Sequence, residues 1–388
     1  MRVLHTSDWH VGKALRGRSR AAEHEAVLAE IADIARRNAV DLVIVAGDLF
    51  DSATPTPEAE RIVYRGLLDL AEGGRPVIVV AGNHDSAQRL GAVAPLSEAS
   101  GIRVASAVRP PDDGGVVEIA AGGERARVAL LPFPSQRYVV TADLLLSGDA
   151  ADAHAAYADR VVRILRALTG GFRSDTINLV VAHLMVMGGT MGGGERSAHT
   201  VFDYWVPATA FPVAAQYVAL GHLHRRQQLA GPAPLHYCGS PLQLDFGETA
   251  NEPAVNLVDV HPGLPADVRS LALTAGRRLC TLRGTLADVV GRADAAADAH
   301  LRVVLDEPAR AGLADEVRSH LPNTVEVAVT PRGDAEVSPA SDPNRLGRTP
   351  RDLVAEYLSE HDAHDERVVA LFDELVDELT GDVSGAPR

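Results

Sequence analysis

Polar side chains that can bind a cation follow five predicted buried strands in this 388-residue chain. Each strand is a short, β-branched apolar run of the kind that fills a parallel sheet. The carboxyl ends of such strands lie along one edge of an open α/β sheet, where ligands bind. The side chains are Asp8 and His10, Asp48, Asn83 and His84, His183, and His222 and His224. The pattern therefore predicts that residues far apart in the chain converge on one site.

The chemistry of this set favours divalent metal ions over the alternative of ordinary polar residues at strand ends. Carboxylate, imidazole and amide oxygen together suit Mn²⁺, Fe²⁺ or Zn²⁺. Neither of the two cysteines belongs to the set, which disfavours a structural zinc site. Two ions roughly 3.5–4 Å apart and bridged by a carboxylate would use this many ligands. The alternate pairs Asp8–His10 and His222–His224 each place both side chains on the same side of an extended segment.

The elements that position these residues alternate between strand and helix. Strands at 2–6, 42–45 and 77–80 alternate with helices at 21–37 and 57–70, which is the signature of βαβ units and predicts an α/β fold. Further strands are predicted near 102–105, 116–120, 127–131, 177–182, 217–220, 235–238, 255–260 and 267–273, with a helix at 152–168. A glycine-rich run at 188–194 predicts a flexible loop, either a flap over substrate or an ordinary connection.

The pattern resets near residue 276, which separates a large α/β domain (1–275) from a small α+β domain (276–330). Residues 331–348 are rich in Pro, Asp, Ser and Gly and are typical of a linker. Residues 349–388 predict two amphipathic helices, at about 349–360 and 364–380. The small domain is predicted to contain strands at 278–284, 301–305 and 324–329 and helices at 285–291 and 310–320.

Charge and composition narrow the class of protein. The net charge of −15 argues at first sight against a nucleic-acid binder, yet residues 351–388 carry −8 of it. The rest of the chain is closer to neutral and contains a short basic run, Lys13, Arg16, Arg18 and Arg20. Few cysteines, no signal peptide and no apolar run of membrane-spanning length predict a cytoplasmic protein that does not enter a membrane.

The order and spacing of these motifs resemble the calcineurin-like metallophosphoesterase superfamily. The residues that carry the resemblance are Asp8-x-His10, Gly47-Asp48, Gly82-Asn83-His84-Asp85, His183 and Gly221-His222-x-His224. The chain is more closely similar to the branch of SbcD-like, Mre-type nucleases. That closer likeness is carried by Thr6-Ser7-Asp8-Trp9-His10, Gly47-Asp48-Leu49-Phe50-Asp51, Leu220 to His224, Tyr237-Cys238-Gly239-Ser240-Pro241 and Phe246-Gly247-Glu248. It covers residues 1 to about 260 well, and the small domain by pattern.

The resemblance implies a four-layer metallophosphoesterase sandwich, with two mixed sheets flanked by helices. It also implies that 276–330 is a DNA-binding capping domain and that the C-terminal helices dock a partner. Two divalent ions, most readily Mn²⁺, would share Asp48. One ion would be held by Asp8, His10, Asp48 and His224, and the other by Asp48, Asn83, His183 and His222.

The resemblance also implies that His84 protonates the leaving oxygen or stabilises the phosphorane, with Asp85 orienting it. Asp51 stands where some related nucleases have a second catalytic histidine. Its role stays open between support of the ligands and a plain turn residue.

The implied function is that of a manganese-dependent DNA nuclease of repair, recombination and replication. It would act as an exonuclease on duplex ends and an endonuclease on hairpin or single-stranded DNA, through a water that bridges the ions. The basic run would contact DNA phosphates, unless it is a solvated loop. Because the chain lacks a G-x-x-x-x-G-K-[ST] phosphate loop, a separate SbcC-like ATPase is expected on the acidic tail of a nuclease homodimer. The alternatives are a phosphoesterase acting on cyclic nucleotides or phosphoproteins, and an inactive scaffold.

Overall fold

Two six-stranded mixed sheets form the body of the chain in the computed structural model, which describes residues 1–134, 150–195, 205–330, 354, 358 and 367–372. In the first sheet β1 (Arg2–Thr6), β2 (Leu42–Val45), β3 (Val77–Val80) and β4 (Ile102–Ala105) are parallel. The antiparallel strands β13 (Ala254–Asp259) and β14 (Asp267–Ala272) complete that sheet. Its order is β14-β13-β1-β2-β3-β4.

The second sheet is built from strands of the middle of the chain. These strands are β5 (Val116–Ala121), β6 (Glu124–Leu131), β7 (Ile177–His183), β10 (Tyr217–Gly221), β11 (Gln227–Leu229) and β12 (Leu235–Tyr237). Their order is β11-β12-β10-β7-β6-β5. The central strands β6, β7, β10 and β12 are parallel, and antiparallel strands flank them. A short parallel pair, β8 (Met185–Val186) and β9 (Trp205–Val206), lies outside both sheets.

The core lies in layers because strand side chains alternate between the two faces of a sheet. Leu4 packs with the apolar stripes of α1 (Ala21–Arg37) and α2 (Pro57–Leu70) on one face of the first sheet. Val3, its neighbour, packs between the two sheets. The expected α/β class, with two mixed sheets flanked by helices, is confirmed.

Two further helices lie outside the alternation of the first three strands. The helix α3 (Ala87–Glu98) is absent from the sequence-based expectation, because it contains Pro95 and Gly91 and buries only Leu90 fully among its own residues. The helix α4 (Ala150–Thr169) corresponds to the predicted helix at 152–168.

The segment after residue 276 has its own parallel sheet, of β15 (Leu279–Gly284), β16 (His300–Leu305) and β17 (Thr324–Val329). Its helices are α5 (Leu286–Val290) and α6 (Leu313–His320), and its apolar cluster is separate from those of the body. Both parts belong to one compact unit, Met1–Val139 with Tyr157–Asp334, so the domain boundary near 276 stays a prediction.

The second compact unit is Val140–Ala156 with Ala335–Arg388. The predicted linker at 331–348 and most of the two predicted C-terminal helices lie outside the described residues, although 354, 358 and 367–372 are helical. Within the described ranges, no helix combines the length and apolar character that crossing a membrane requires.

Candidate dinuclear metal centre

The loops that follow β1 and β2 run side by side and bring three predicted ligands together. The backbone N–H of Asp8 donates to Gly47 O at 2.9 Å, and that of His10 donates to Asp48 O at 3.0 Å. All three predicted side chains, those of Asp8, His10 and Asp48, are buried. The parallel pairing of β1 with β2 therefore determines their register.

Four of the predicted ligands have a positive φ, which side-chain-bearing residues rarely adopt. The values are 54° for Asp8, 46° for His10, 51° for Asp48 and 103° for His222. Such conformations persist where the surrounding structure holds them, and they cluster at functional sites. The strain in this fold is therefore concentrated at the strand ends that carry the predicted ligands.

Two glycines in the motifs are required by close packing around the same residues. A Cβ atom at Gly82 would lie 2.1 Å from Asp48 Oδ1, and one at Gly47 would lie 2.3 Å from His183 Nδ1. Contacts this short do not occur between real side chains, so the backbone of these loops approaches the site as only glycine allows.

Asp48 is at the centre of the arrangement. Its Oδ2 lies 3.5 Å from His10 Nε2 and 3.4 Å from His183 Nε2, and its Oδ1 accepts a hydrogen bond from His84 N at 2.8 Å. One carboxylate thus faces imidazoles from two different strands, which is the geometry expected of a bridging ligand.

The amide oxygen of Asn83 joins two imidazoles on the side of the second sheet. Asn83 Oδ1 lies 2.9 Å from His183 Nε2 and 2.8 Å from His222 Nδ1. His183 is oriented by its other nitrogen, because Nδ1 donates to Ala46 O at 2.8 Å and leaves Nε2 to face the site. Phe133, which the sequence-based reasoning missed, stacks on His222 at 6.0 Å between ring centroids.

The predicted residues also form groups that could each hold a metal ion. Three groups have ligand atoms that all lie within 4.8 Å of one another. They are Asp8 with His10 and His224, His10 with Asp48 and His84, and Asp8 with Asp48 and His183. The structure thus brings together every residue of the predicted ligand set.

His10 provides a test of whether this set fits a metal ion. Both of its ring nitrogens are buried, and neither has a hydrogen-bond partner among the described residues. The nearest carboxylates, of Asp48 and Asp51, are 3.5 and 3.6 Å away. A buried polar atom without a partner destabilises a fold by about 1–3 kcal/mol, so these atoms fit a site that holds a cation.

Burial and neighbouring charges shift the pKa values of these groups in opposite directions. Burial raises the pKa of Asp8 to about 6. Burial alone would also raise the pKa of Asp48, but the neighbouring imidazoles, His183 first, outweigh it and hold that pKa well below its usual range. Burial would lower the pKa of His183, but Asp48 outweighs that effect and raises it to about 9. The pocket therefore concentrates negative charge on Asp48 and attracts positive charge.

His84 and Asp85 contact different parts of the loop that follows β2. His84 Nδ1 donates to Asp51 O at 3.0 Å, so its Nε2 is directed elsewhere. The expected orientation of His84 by Asp85 stays a prediction, and the contacts of Asp85 shown by the structure are to the backbone. Its carboxylate accepts backbone N–H groups of Gly82 at 2.9 Å, Phe50 at 3.1 Å and Leu49 at 3.3 Å, and so ties the loop after β3 to the loop after β2.

The basic run does not form one surface. Arg20 is buried and bonds to Gln243 O and Glu23, which corrects its expected contact with DNA. Arg16 pairs with Asp245 and Glu326, and Lys13 Nζ lies 3.4 Å from Asp51 Oδ1. Arg18 is exposed.

The glycine-rich run is anchored by hydrogen bonds. The backbone N–H groups of Gly192, Gly193 and Gly194 all donate to the carboxylate of Glu195. Asn251 Nδ2 donates to Gly192 O at 3.3 Å and holds the loop against the chain that follows β12. These contacts hold the run beside His224, which its composition alone does not indicate.

Comparisons with known proteins show which family this chain resembles. Residues 1–123 match the family model described as calcineurin-like phosphoesterase. The chain is 36% identical over 283 residues to the SbcD subunit of the SbcCD nuclease from Bacillus subtilis, covering 72% of this chain and 71% of that protein. It is 33% identical over 311 residues to the Escherichia coli K12 protein of the same name, covering 75% and 73%.

Solved structures are more distant. A dimetal phosphatase from Danio rerio is 14% identical, with a TM-score of 0.42, over 71% of this chain and 99% of that one. A protein of Thermus thermophilus is 14% identical, with a TM-score of 0.36, over 69% and 98%.

Proposed function

We propose that this chain, which belongs to the calcineurin-like phosphoesterase family and within it to the SbcD nucleases, hydrolyses phosphodiester bonds of DNA with two manganese ions. Membership makes it a metal-dependent phosphodiesterase of the nuclease type. The observation that carries the proposal is the convergence of buried carboxylates and imidazoles around Asp48.

The proposed ligand set has two halves that share Asp48. Asp8, His10, Asp48 and His224 would hold one ion, and Asp48, Asn83, His183 and His222 would hold the other. Within each group of three residues, the ligand atoms are close enough to bind one ion. The buried nitrogens of His10, which have no hydrogen-bond partner among the described residues, give further support. Oxygen and imidazole ligands without a thiolate favour Mn²⁺ over the softer metals.

The ions, when bound, would lower the pKa of a shared water and neutralise charge on the phosphodiester. The chain itself supplies His84. Its ring is partly exposed, and Nδ1 donates to Asp51 O. The proposed role of Nε2 is to protonate the leaving oxygen. In this proposal the backbone carbonyl of Asp51 holds His84. The carboxylate of Asp51 lies beside the ammonium group of Lys13.

The substrate is proposed to be DNA, cut as an exonuclease at duplex ends and as an endonuclease at hairpins or single strands. Exposed Arg18, with the surface arginines Arg277, Arg278 and Arg283 of the small domain, would contact phosphates. This placement supports a DNA-binding cap formed by 276–330.

Two protein partners are proposed. The relatives are named as subunits, and this chain has no phosphate-loop motif, so an SbcC-like ATPase would act with it, docked on the acidic tail. A second copy of the chain would pack on α2 and α3, where Leu68 and Leu96 are 48% and 76% exposed.

The test is digestion of linear and hairpin DNA by the purified protein with Mn²⁺, with Mg²⁺ and with a chelator. We expect manganese-dependent cleavage that Asp48→Asn abolishes together with ion binding. Activity on bis-p-nitrophenyl phosphate without any on DNA would favour a different phosphoesterase. A metal-loaded protein that cleaves neither substrate would favour the alternative of an inactive scaffold protein.

A further inference from the structure

His224, the last residue of the predicted ligand set, is held by two carboxylates that the ligand assignment does not use. Its ring nitrogen Nδ1 lies 2.7 Å from Glu248 Oε1. Its backbone N–H donates to Glu195 Oε1 at 3.1 Å. One contact orients the imidazole, and the other fixes the backbone that carries it.

The carboxylate of Glu248 is unusual because the side chain is fully buried, with 0% of its surface exposed. Burial of an ionised carboxylate is unfavourable unless it is paired and hydrogen-bonded. Its Oε2 accepts the backbone N–H of Leu244 at 2.7 Å, and its Oε1 meets His224. Among the described residues, these two hydrogen bonds satisfy both oxygens of the carboxylate, and the Nδ1–H of His224 is the one that comes from a side chain.

The short turn Asp245–Glu248 keeps the carboxylate in place. Phe246 packs with Leu15 and with Leu279 of β15, in a cluster that joins the body to the small sheet. Asp245 pairs with Arg16 at 2.9 Å. The turn is therefore fixed from both sides, and Glu248 has little freedom to leave His224.

The geometry points to Glu248 as a positioning residue of the metal centre. Its carboxylate accepts the Nδ1–H of His224, fixes that tautomer and leaves Nε2 as the nitrogen that would hold an ion together with Asp8 and His10. This inference rests on the proposed role of His224 as a ligand. Carboxylates that hold a ligating imidazole in this way orient the ring and make it a stronger donor.

The inference predicts unequal effects on the two ions. Loss of such a partner typically weakens metal affinity by roughly 10–100-fold. In Glu248→Gln, the ion held through His224 should weaken by that factor, while the ion held through His183 and His222 keeps its affinity. A residue that only supported the fold would weaken both ions together.

The experiment measures Mn²⁺ binding to the full chain in the absence of DNA, by calorimetry for affinity and by electron paramagnetic resonance for the spin-coupled pair of ions. We expect two tight ions in the wild type and one tight, one weak ion in Glu248→Gln. Glu252→Gln removes the same charge from an acid that is 75% exposed, and it should bind both ions normally. Equal binding of both ions by Glu248→Gln and the wild type would overturn the inference.

A second measurement covers the case in which Glu248→Gln does not fold. Nitrogen-15 spectra of the zinc-loaded wild type, with the His224 signals assigned by their loss in His224→Gln, report which ring nitrogen carries the proton. A proton on Nδ1 supports the inference, and a proton on Nε2 overturns it. A wild type that binds no ions would instead contradict the proposed ligand set itself.

Discussion

Arg20 Nη2 lies 2.8 Å from Glu23 Oε2, and the Arg20 side chain is 0% exposed. Glu23 in turn accepts the backbone N–H of Arg277 at 3.0 Å and lies 2.9 Å from His300 Nε2 of β16. The last residue of the basic run thus belongs to the junction between the body and the small sheet. The charge of Arg20 is used in an ion pair inside the protein, whereas the side chain of Arg18 is exposed to solvent.

Replacement of Arg20 should therefore affect stability more than DNA binding. Arg20→Gln leaves the half-buried carboxylate of Glu23 without its guanidinium, and loss of a hydrogen bond to a charged group lowers the free energy of unfolding by about 1.5–3 kcal/mol. Urea denaturation monitored by circular dichroism measures the change.

Arg18→Gln is the matched control, since it removes the same charge two residues earlier from an exposed position. We expect a stability change within about 0.5 kcal/mol. Its DNA affinity should fall, with the salt dependence reduced by about one phosphate contact. The assignment fails if Arg20→Gln is as stable as the wild type and binds DNA more weakly.

Replacement of His84 should separate catalysis from metal binding. His84→Gln removes the Nε2 proton donor but none of the proposed ligands, so cleavage should slow by roughly 10²–10⁴-fold, the usual contribution of a general acid. Single-turnover digestion measures the rate, and calorimetry should still find two bound ions. Loss of an ion in this variant would make His84 a ligand instead.

The loop after β3 should not tolerate a methyl group. Gly82→Ala would place a Cβ atom 2.1 Å from Asp48 Oδ1. Overpacking of this kind destabilises by about 1–3 kcal/mol, and displacement of the Asp48 carboxylate should weaken both ions. Thermal unfolding and Mn²⁺ calorimetry measure the two effects.

Gly291→Ala provides the comparison, because its Cβ would meet nothing closer than Ala287 O at 3.4 Å. That variant should keep its metal affinity and change stability by less than about 1 kcal/mol. If both glycine variants behaved alike, close packing at Asp48 would not explain Gly82.

The convergence of the proposed ligands was predictable because each follows a short apolar strand, and parallel strands bring their ends to one edge. Other features depended on tertiary contacts that leave no local pattern. The burial of Arg20 requires Gln243 O and Glu23, and the basic run alone resembles a solvated loop. Glu248 belongs to a motif that the sequence shows, Phe246-Gly247-Glu248. Its contact with His224 can be seen only in the folded structure.

The inner layer between the two sheets should make the protein sensitive to acid through His5. Its ring is buried, with Nδ1 2.9 Å from Tyr217 Oη, and burial lowers the pKa of His5 to about 3. Because an unfolded histidine titrates near 6.5, the unfolded state binds more protons between pH 6.5 and about 3, so stability falls as the pH falls through that window, by up to about 1.4 kcal/mol per pH unit. Urea denaturation from pH 7 to pH 4.5 should give a shallower pH dependence for His5→Gln than for the wild type. Tyr217→Phe removes the hydrogen bond but keeps the imidazole buried, and it should lose stability at every pH with the slope retained. An unchanged slope in His5→Gln would show that other groups determine the acid sensitivity.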